Sequence, residues 1–119
     1  MEVGRLTLPG VAFDEGLAHR IREQVGLRPD LTERKMFGGL AFMTSGNMLV
    51  GVIGDDLICR AGADAMDDAL ARPGARVFDM TGRAMTGWVL VDGSVVAEDD
   101  DLAEWIERAD RFVETLPPK

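Results

Sequence analysis

Two adjacent glycines, Gly38 and Gly39, interrupt the apolar run of residues 34–52, RKMFGGLAFMTSGNMLVGV. Positions without a side chain inside a strand pattern mark bulges, bends or close backbone approach. A bulge that bends a hairpin over the first helix is the favoured role for this pair. The run turns at Ser45-Gly46-Asn47, where Gly46 and Asn47 both accept positive φ, so its second half pairs back on its first. Strands are therefore expected at 35–37, 40–44 and 48–53. Gly54-Asp55-Asp56 supplies a second tight turn, with a further strand over 57–61. Strands joined by such short turns must be antiparallel, because parallel pairs need long crossovers.

Helical signals bracket this meander. Residues 1–12 show no clear period and read as an N-terminal arm. Asp14 is a good N-cap, and Leu17, Ala18, Ile21 and Val25 recur at helical spacing until Gly26 and Pro29 stop the helix. A short helix is expected over 64–71, with Ala65, Met66, Ala69 and Leu70 inward, ended by Pro73-Gly74. Short strands at 77–78 and 87–91, the second led by Trp88, flank a Thr81-Gly82 turn. A last helix over 100–116 carries Leu102, Trp105, Ile106, Ala109, Phe112, Val113 and Leu116 on one stripe before Pro117-Pro118. The order predicts an α+β fold, helices laid on an antiparallel sheet.

The chain is one domain, long enough at 119 residues to bury a core without staples. A lone cysteine, Cys59, excludes an internal disulfide, and no signal pattern opens the sequence, so the cytoplasm is expected. No apolar run approaches a membrane span. Residues 1–40 balance six basic residues against six acids, so the whole net charge of −8 arises in the remainder. That balance opposes direct binding to DNA or RNA. Residues 20–35 hold a local basic cluster, read as a solvated face.

Arg60 and Arg83 are the polar residues of most interest, because a guanidinium offers a rigid fork of donors to a carboxylate or phosphate. With Asp79 they define a candidate anion site; an internal Arg83–Asp79 pair that pins the loop to the sheet is the favoured alternative. Gly38 and Gly39, beside Phe37, could admit a ligand backbone, yet no Lys-Ser/Thr or helix comes after them to make a phosphate loop. Trp88 is a candidate platform next to the Arg83 loop, whereas the spacing of Trp105 says core. Met36, Met43, Met48, Met66, Met80 and Met85 offer an adaptable surface, though each more often packs inside. His19 lies off the first helix's stripe. With no second histidine, a histidine metal cluster is impossible and no metal is expected. Cys59 reads as a small buried residue, with Arg60 on the opposite strand face. Asp99-Asp100-Asp101 lacks the spacing of a calcium loop and suits a helix start.

Several segments together resemble the TfoX/Sxy N-terminal domain family. They are Phe13-Asp14-Glu15-Gly16-Leu17-Ala18, Lys35-Met36-Phe37-Gly38-Gly39-Leu40-Ala41-Phe42-Met43, Gly46-Asn47-Met48, Gly51-Val52, Asp55-Asp56-Leu57 and Arg60-Ala61-Gly62. Pro73-Gly74-Ala75-Arg76, Asp79-Met80-Thr81-Gly82-Arg83-Ala84-Met85, Gly87-Trp88-Val89 and Thr115-Leu116-Pro117-Pro118-Lys119 continue the match, which spans residues 13–119. The resemblance implies an α-β(3)-α-β(2)-α fold similar to secretion-chaperone-like domains. It also implies a link to regulation of natural competence, where longer members act with a transcription activator. Ending at Lys119, the chain reads as a single-domain member, and Arg83-Ala84 replaces the family's frequent Arg-Pro.

Two functions compete. One is a non-catalytic module that engages a protein partner such as a transcription regulator, with self-association as a second mode and no cofactor. The other is a small-anion-binding protein or enzyme built on Arg60, Asp79 and Arg83. The missing general base of the usual kind favours the module.

Overall fold

The computed structural model describes residues 13–36, 38–79 and 84–118. The N-terminal arm expected over 1–12 lies outside them, as do Phe37, Met80 and the Thr81-Gly82-Arg83 turn. Helix α1 (Glu15–Val25) begins as its sequence directs: the Asp14 carboxylate accepts from the Gly16 and Leu17 amides at 2.8 and 3.3 Å. Four strands come next as a meander, β1 (Leu31–Met36), β2 (Gly39–Thr44), β3 (Asn47–Ile53) and β4 (Asp56–Arg60). Helix α2 (Met66–Leu70) leads to β5 (Ala75–Asp79) and β6 (Ala84–Val91). A 3-10 turn at Val95–Ala97 precedes α3 (Asp99–Val113). The six strands form one antiparallel sheet in the order β1-β2-β3-β4-β6-β5.

The main core joins the helices to one sheet face. Ile21 of α1, Phe42, Val50, Val52, Leu57, Val89 and Val91 of the strands, and Leu102 and Trp105 of α3 are all essentially withdrawn from solvent. Each such side chain contributes about 1.5–3 kcal/mol of hydrophobic stabilisation. On the opposite face a second, smaller cluster gathers Ala41, Met48, Ile58 and Phe78, with Met43, Met85, Trp88 and Leu90 packed against it. Of the described methionines Met48 is buried, Met43, Met66 and Met85 are half-buried against the two clusters, and Met36 is exposed.

Long-range ion pairs clasp the ends together. Arg28 reaches Asp110 of α3 with two hydrogen bonds of 2.9 Å, Arg20 reaches Asp99, and Arg22 forks onto Glu33 of β1. The Glu33 carboxyl is held below its ordinary range by that hydrogen bond. Carboxylates therefore occupy three arginines of the basic cluster at 20–35. Exposed pairs of this kind are worth at most about 1 kcal/mol each.

Several local expectations are corrected. The double glycine forms no bulge. Met36 faces Gly39 across the ladder, so Gly38, at φ +77°, sits where the chain reverses, in a left-handed conformation that suits glycine. The bulge lies further on, where Phe42 pairs with Val50 but Met43 with Met48, leaving fully buried Leu49 as the extra residue.

Asn47 is not a turn residue either. Ser45 and Gly46 make the reversal, at φ +50° and +83°. Ser45 tolerates that conformation because its amide and hydroxyl both bond Asp30. Asn47 instead starts β3, is 3% exposed, and donates its side-chain amide to the Pro117 carbonyl at 3.0 Å. At the other end of β3, Phe13 bridges Gly54, whose carbonyl accepts the Asp14 amide at 2.7 Å.

Helix α2 is shorter than its sequence suggests and Ala65 is exposed, not inward. No side chain caps its start, and Asp64 and Ala65 form a turn ahead of the helix. Strands β5 and β6 extend beyond their apolar centres because backbone pairing continues past them. Helix α3 ends at Val113, so Leu116 lies past it in a bend where it is half-buried.

Cys59 is a buried free thiol whose Sγ–H donates to the Trp105 carbonyl at 3.3 Å. Burial pushes its pKa up to about 12. The unfolded thiol ionises near pH 8.5, so between these values the unfolded state holds fewer protons and stability falls as pH rises. Reaction with Ellman's reagent at pH 8 should therefore proceed only once denaturant opens the domain. A fast reaction in native buffer would contradict this packing.

Candidate functional site

The end of β4 is where a polar side chain is left without a counter-charge among the described residues. Arg60 pairs across the ladder with Trp88 of β6. Beyond it, the Ala61 and Gly62 amides both donate to the Gly87 carbonyl, at 2.9 and 3.0 Å, which fixes the chain as it leaves the sheet. Gly87 allows this because it adopts φ +91° and lies close to the backbone at Gly62 and Ala63.

Gly62, at φ +87°, lies directly under the Phe112 ring, where a Cβ would stand 2.4 Å from a ring carbon. The ring is thereby seated next to Arg60. The Arg60 guanidinium carbon lies 5.0 Å from the Trp88 ring centroid and 5.5 Å from that of Phe112. Cation–π contact holds the side chain in place, and burial lowers its pKa from the ordinary value. No ion pair to Arg60 occurs among the described residues.

These groups line a cleft of about 510 Å³ between β6, the start of α2 and the last turns of α3. Arg108 and Arg111 border it from α3. Arg108 is fixed by Asp68 at 2.8 Å and Glu104 at 3.3 Å, and its ionic hydrogen bonds raise its pKa against the opposing effect of burial. Its Nε is buried with no hydrogen-bond partner among the described residues. Glu104 also accepts from Arg72 at 2.6 Å. Arg111 is in no ion pair among the described residues. Asp64 is the carboxylate in the lining, and Thr86 and Thr115 add hydroxyls.

Of the residues singled out from sequence, the structure brings together Arg60 and Trp88. Asp79 is exposed at the end of β5, opposite Ala84, and is not part of the lining. Arg83 and Phe37 lie outside the described residues, so the Arg83–Asp79 pair does too. Gly38 and Gly39 belong to the β1–β2 reversal and take no part in the cleft. Phe112, Arg108 and Arg111 were missed. Their signal was the i, i+3, i+4 spacing, which sets Arg108, Arg111 and Phe112 on one side of the last helical turns. His19 is exposed, with Glu23 at 3.5 Å. Among the described residues no His, Cys, Asp and Glu side chains group as metal ligands.

A family model describes what this architecture belongs to. The TfoX N-terminal domain matches residues 23–113, most of the chain. The chain is a member of the TfoX N-terminal domain family. Searches of curated proteins and of solved structures found no match. Membership relates this TfoX N-terminal domain to competence regulators, and its fold is the α+β arrangement described above. Among the described residues, no helix of the domain is long and apolar enough to cross a membrane.

Proposed function

We propose that this TfoX N-terminal domain is a non-catalytic regulatory module that engages a protein partner, with the Arg60 cleft as its recognition site. The observation that carries the reading is Arg60 itself, a partly buried cation stacked on Trp88 and Phe112 with no carboxylate paired to it among the described residues. Withdrawing a charge from water is costly unless a counter-charge repays it. An acidic group on a partner supplies that counter-charge. The lining supports holding over turnover: it offers arginine donors, aromatic faces, two threonine hydroxyls and a single carboxylate.

The proposed partner belongs to the transcription apparatus, in keeping with the competence regulators to which the family is related. A net charge of −8 argues for a protein contact over direct nucleic-acid binding. The cytosol is the proposed compartment, where a buried reduced thiol such as Cys59 is at home. A second reading, a small-anion receptor, draws on the cleft volume, which lies within the usual range for small-molecule sites.

Nuclease-treated affinity purification from the native cell, comparing wild type with Arg60→Ala/Arg111→Ala, tests the module. A partner retained by the wild type and lost by the variant is the expected result. A partner retained equally by both would move the interface away from the cleft, and no specific partner at all would leave the small-anion reading in possession.

A further inference from the structure

We infer that the Arg60 cleft is built for a carboxylate attached to an apolar group, as found at a peptide's chain terminus or in an acidic side chain beside a hydrophobic one. The inference rests on the reading of this cleft as the recognition site and names the chemistry it selects. Trp88 and Phe112 take up the aromatic-facing surface of the Arg60 guanidinium. What remains for a ligand is the rim of coplanar N–H donors, whose spacing matches the two oxygens of a carboxylate.

The local charge selects a monoanion. Arg60, Arg72, Arg108 and Arg111 face Asp64, Asp68 and Glu104, which leaves a single net positive charge in an otherwise acidic domain. A phosphate dianion would be under-compensated here and repelled by Asp64, which lines the same cleft. One added negative charge is matched.

The walls choose what carries the carboxylate. Ala63 and Ala65 are exposed residues of a lining that also includes the Phe112 and Trp88 side chains and is mostly apolar. A short aliphatic or aromatic side chain next to the carboxylate therefore buries its surface while the charge meets Arg60 and Arg111. Arg108 is already held by Asp68 and Glu104 and acts as a fixed wall.

N-acetyl-L-leucine is the probe, with N-acetyl-L-leucinamide as its uncharged twin, acetyl-Asp-Leu-amide as the side-chain carboxylate, and inorganic phosphate as the competing anion. Each is titrated into the whole 15N-labelled chain while the Gly62 and Gly87 amides and the Arg60 Nε–H are followed by NMR. A ligand of this size is expected to bind with a Kd on the order of 1 mM. N-acetyl-leucine, acetyl-Asp-Leu-amide or both should move these signals, and which of them does identifies the source of the carboxylate. The leucinamide should bind at least about ten-fold more weakly.

Arg60→Lys keeps the charge and loses the fork, so it should abolish the response. The exposed Arg111→Ala should weaken binding several-fold with the fold intact, which guards against a merely unfolded Arg60 variant. Phosphate moving the same signals as strongly would overturn the carboxylate assignment, as would a leucinamide that binds equally well. If no probe binds while Arg60→Ala/Arg111→Ala still loses a protein partner, the chemistry inferred here fails and the module survives. If the acids bind and no partner is retained, the carboxylate site stands and the module reading falls.

Discussion

Gly62→Ala is expected to destabilise the domain by about 2–5 kcal/mol and to dismantle the Arg60 cleft at the same time. Two costs add. Holding a residue with a Cβ at φ +87° costs roughly 1–2 kcal/mol. Forcing a methyl group toward a ring atom 2.4 Å away adds about 1–3 kcal/mol of overpacking. Urea unfolding of the variant and the wild type, monitored together, measures the sum. The clash is with a side chain, so Phe112→Leu in the same chain should return the overpacking share and leave the backbone share. A double-mutant cycle separates the two. If Gly62→Ala unfolded within about 0.5 kcal/mol of wild type, the Phe112 ring could not be seated over this glycine. The arrangement around Arg60 would then need another basis.

Trp105→Ala carries the other large effect, a loss of about 3–5 kcal/mol. Trp105 is 2% exposed, on the stripe of α3 that faces the sheet. Its ring also lies 5.3 Å beneath the Arg108 guanidinium carbon, so its removal takes away a cation–π contact together with core volume. Arg108 in turn is held by Asp68 and Glu104. The truncation should therefore loosen the α2–α3 side of the cleft as well as the core. Denaturant midpoints should fall in the order wild type, Trp105→Phe, Trp105→Ala. A Trp105→Ala variant as stable as Trp105→Phe would show that the site collapses without a residual cavity, contrary to the close packing around it.

The parts of the fold that could be read from sequence are those encoded by near neighbours. Asp14 and the Leu17–Ile21–Val25 spacing define α1 without reference to anything else. The stripe centred on Trp105 does the same for α3, and short glycine-containing turns oblige the strands between them to run antiparallel. The glycine pair was harder, because Gly38-Gly39 satisfies a bulge and a reversal equally well. Only the pairing of Met36 with Gly39 distinguishes them. Asn47 misled for a similar reason. Its preference for turns is local, whereas its contact with Pro117 spans most of the chain.

The cleft was half legible. Arg60 stood out as a cation ending an apolar strand, and Trp88 as an aromatic leading one. Their juxtaposition depends on the β4–β6 register, which no short-range pattern contains. Phe112 was hidden by its own regular spacing: it packs against the core, as that stripe implies, and borders the cleft as well. Asp79 stands at the end of an edge strand, opposite Ala84 in the ladder, and its partner in the expected pair, Arg83, lies outside the described residues.

The contacts of Phe13 with Gly54 and of Pro117 with Asn47 place the two ends of the described chain at opposite ends of one strand. Strand β3 has seven residues, a span of about 24 Å at ~3.4 Å per residue. A pull applied to Phe13 and Pro117 would thus enter through the Gly54 and Asn47 contacts and be carried along the length of this one central strand.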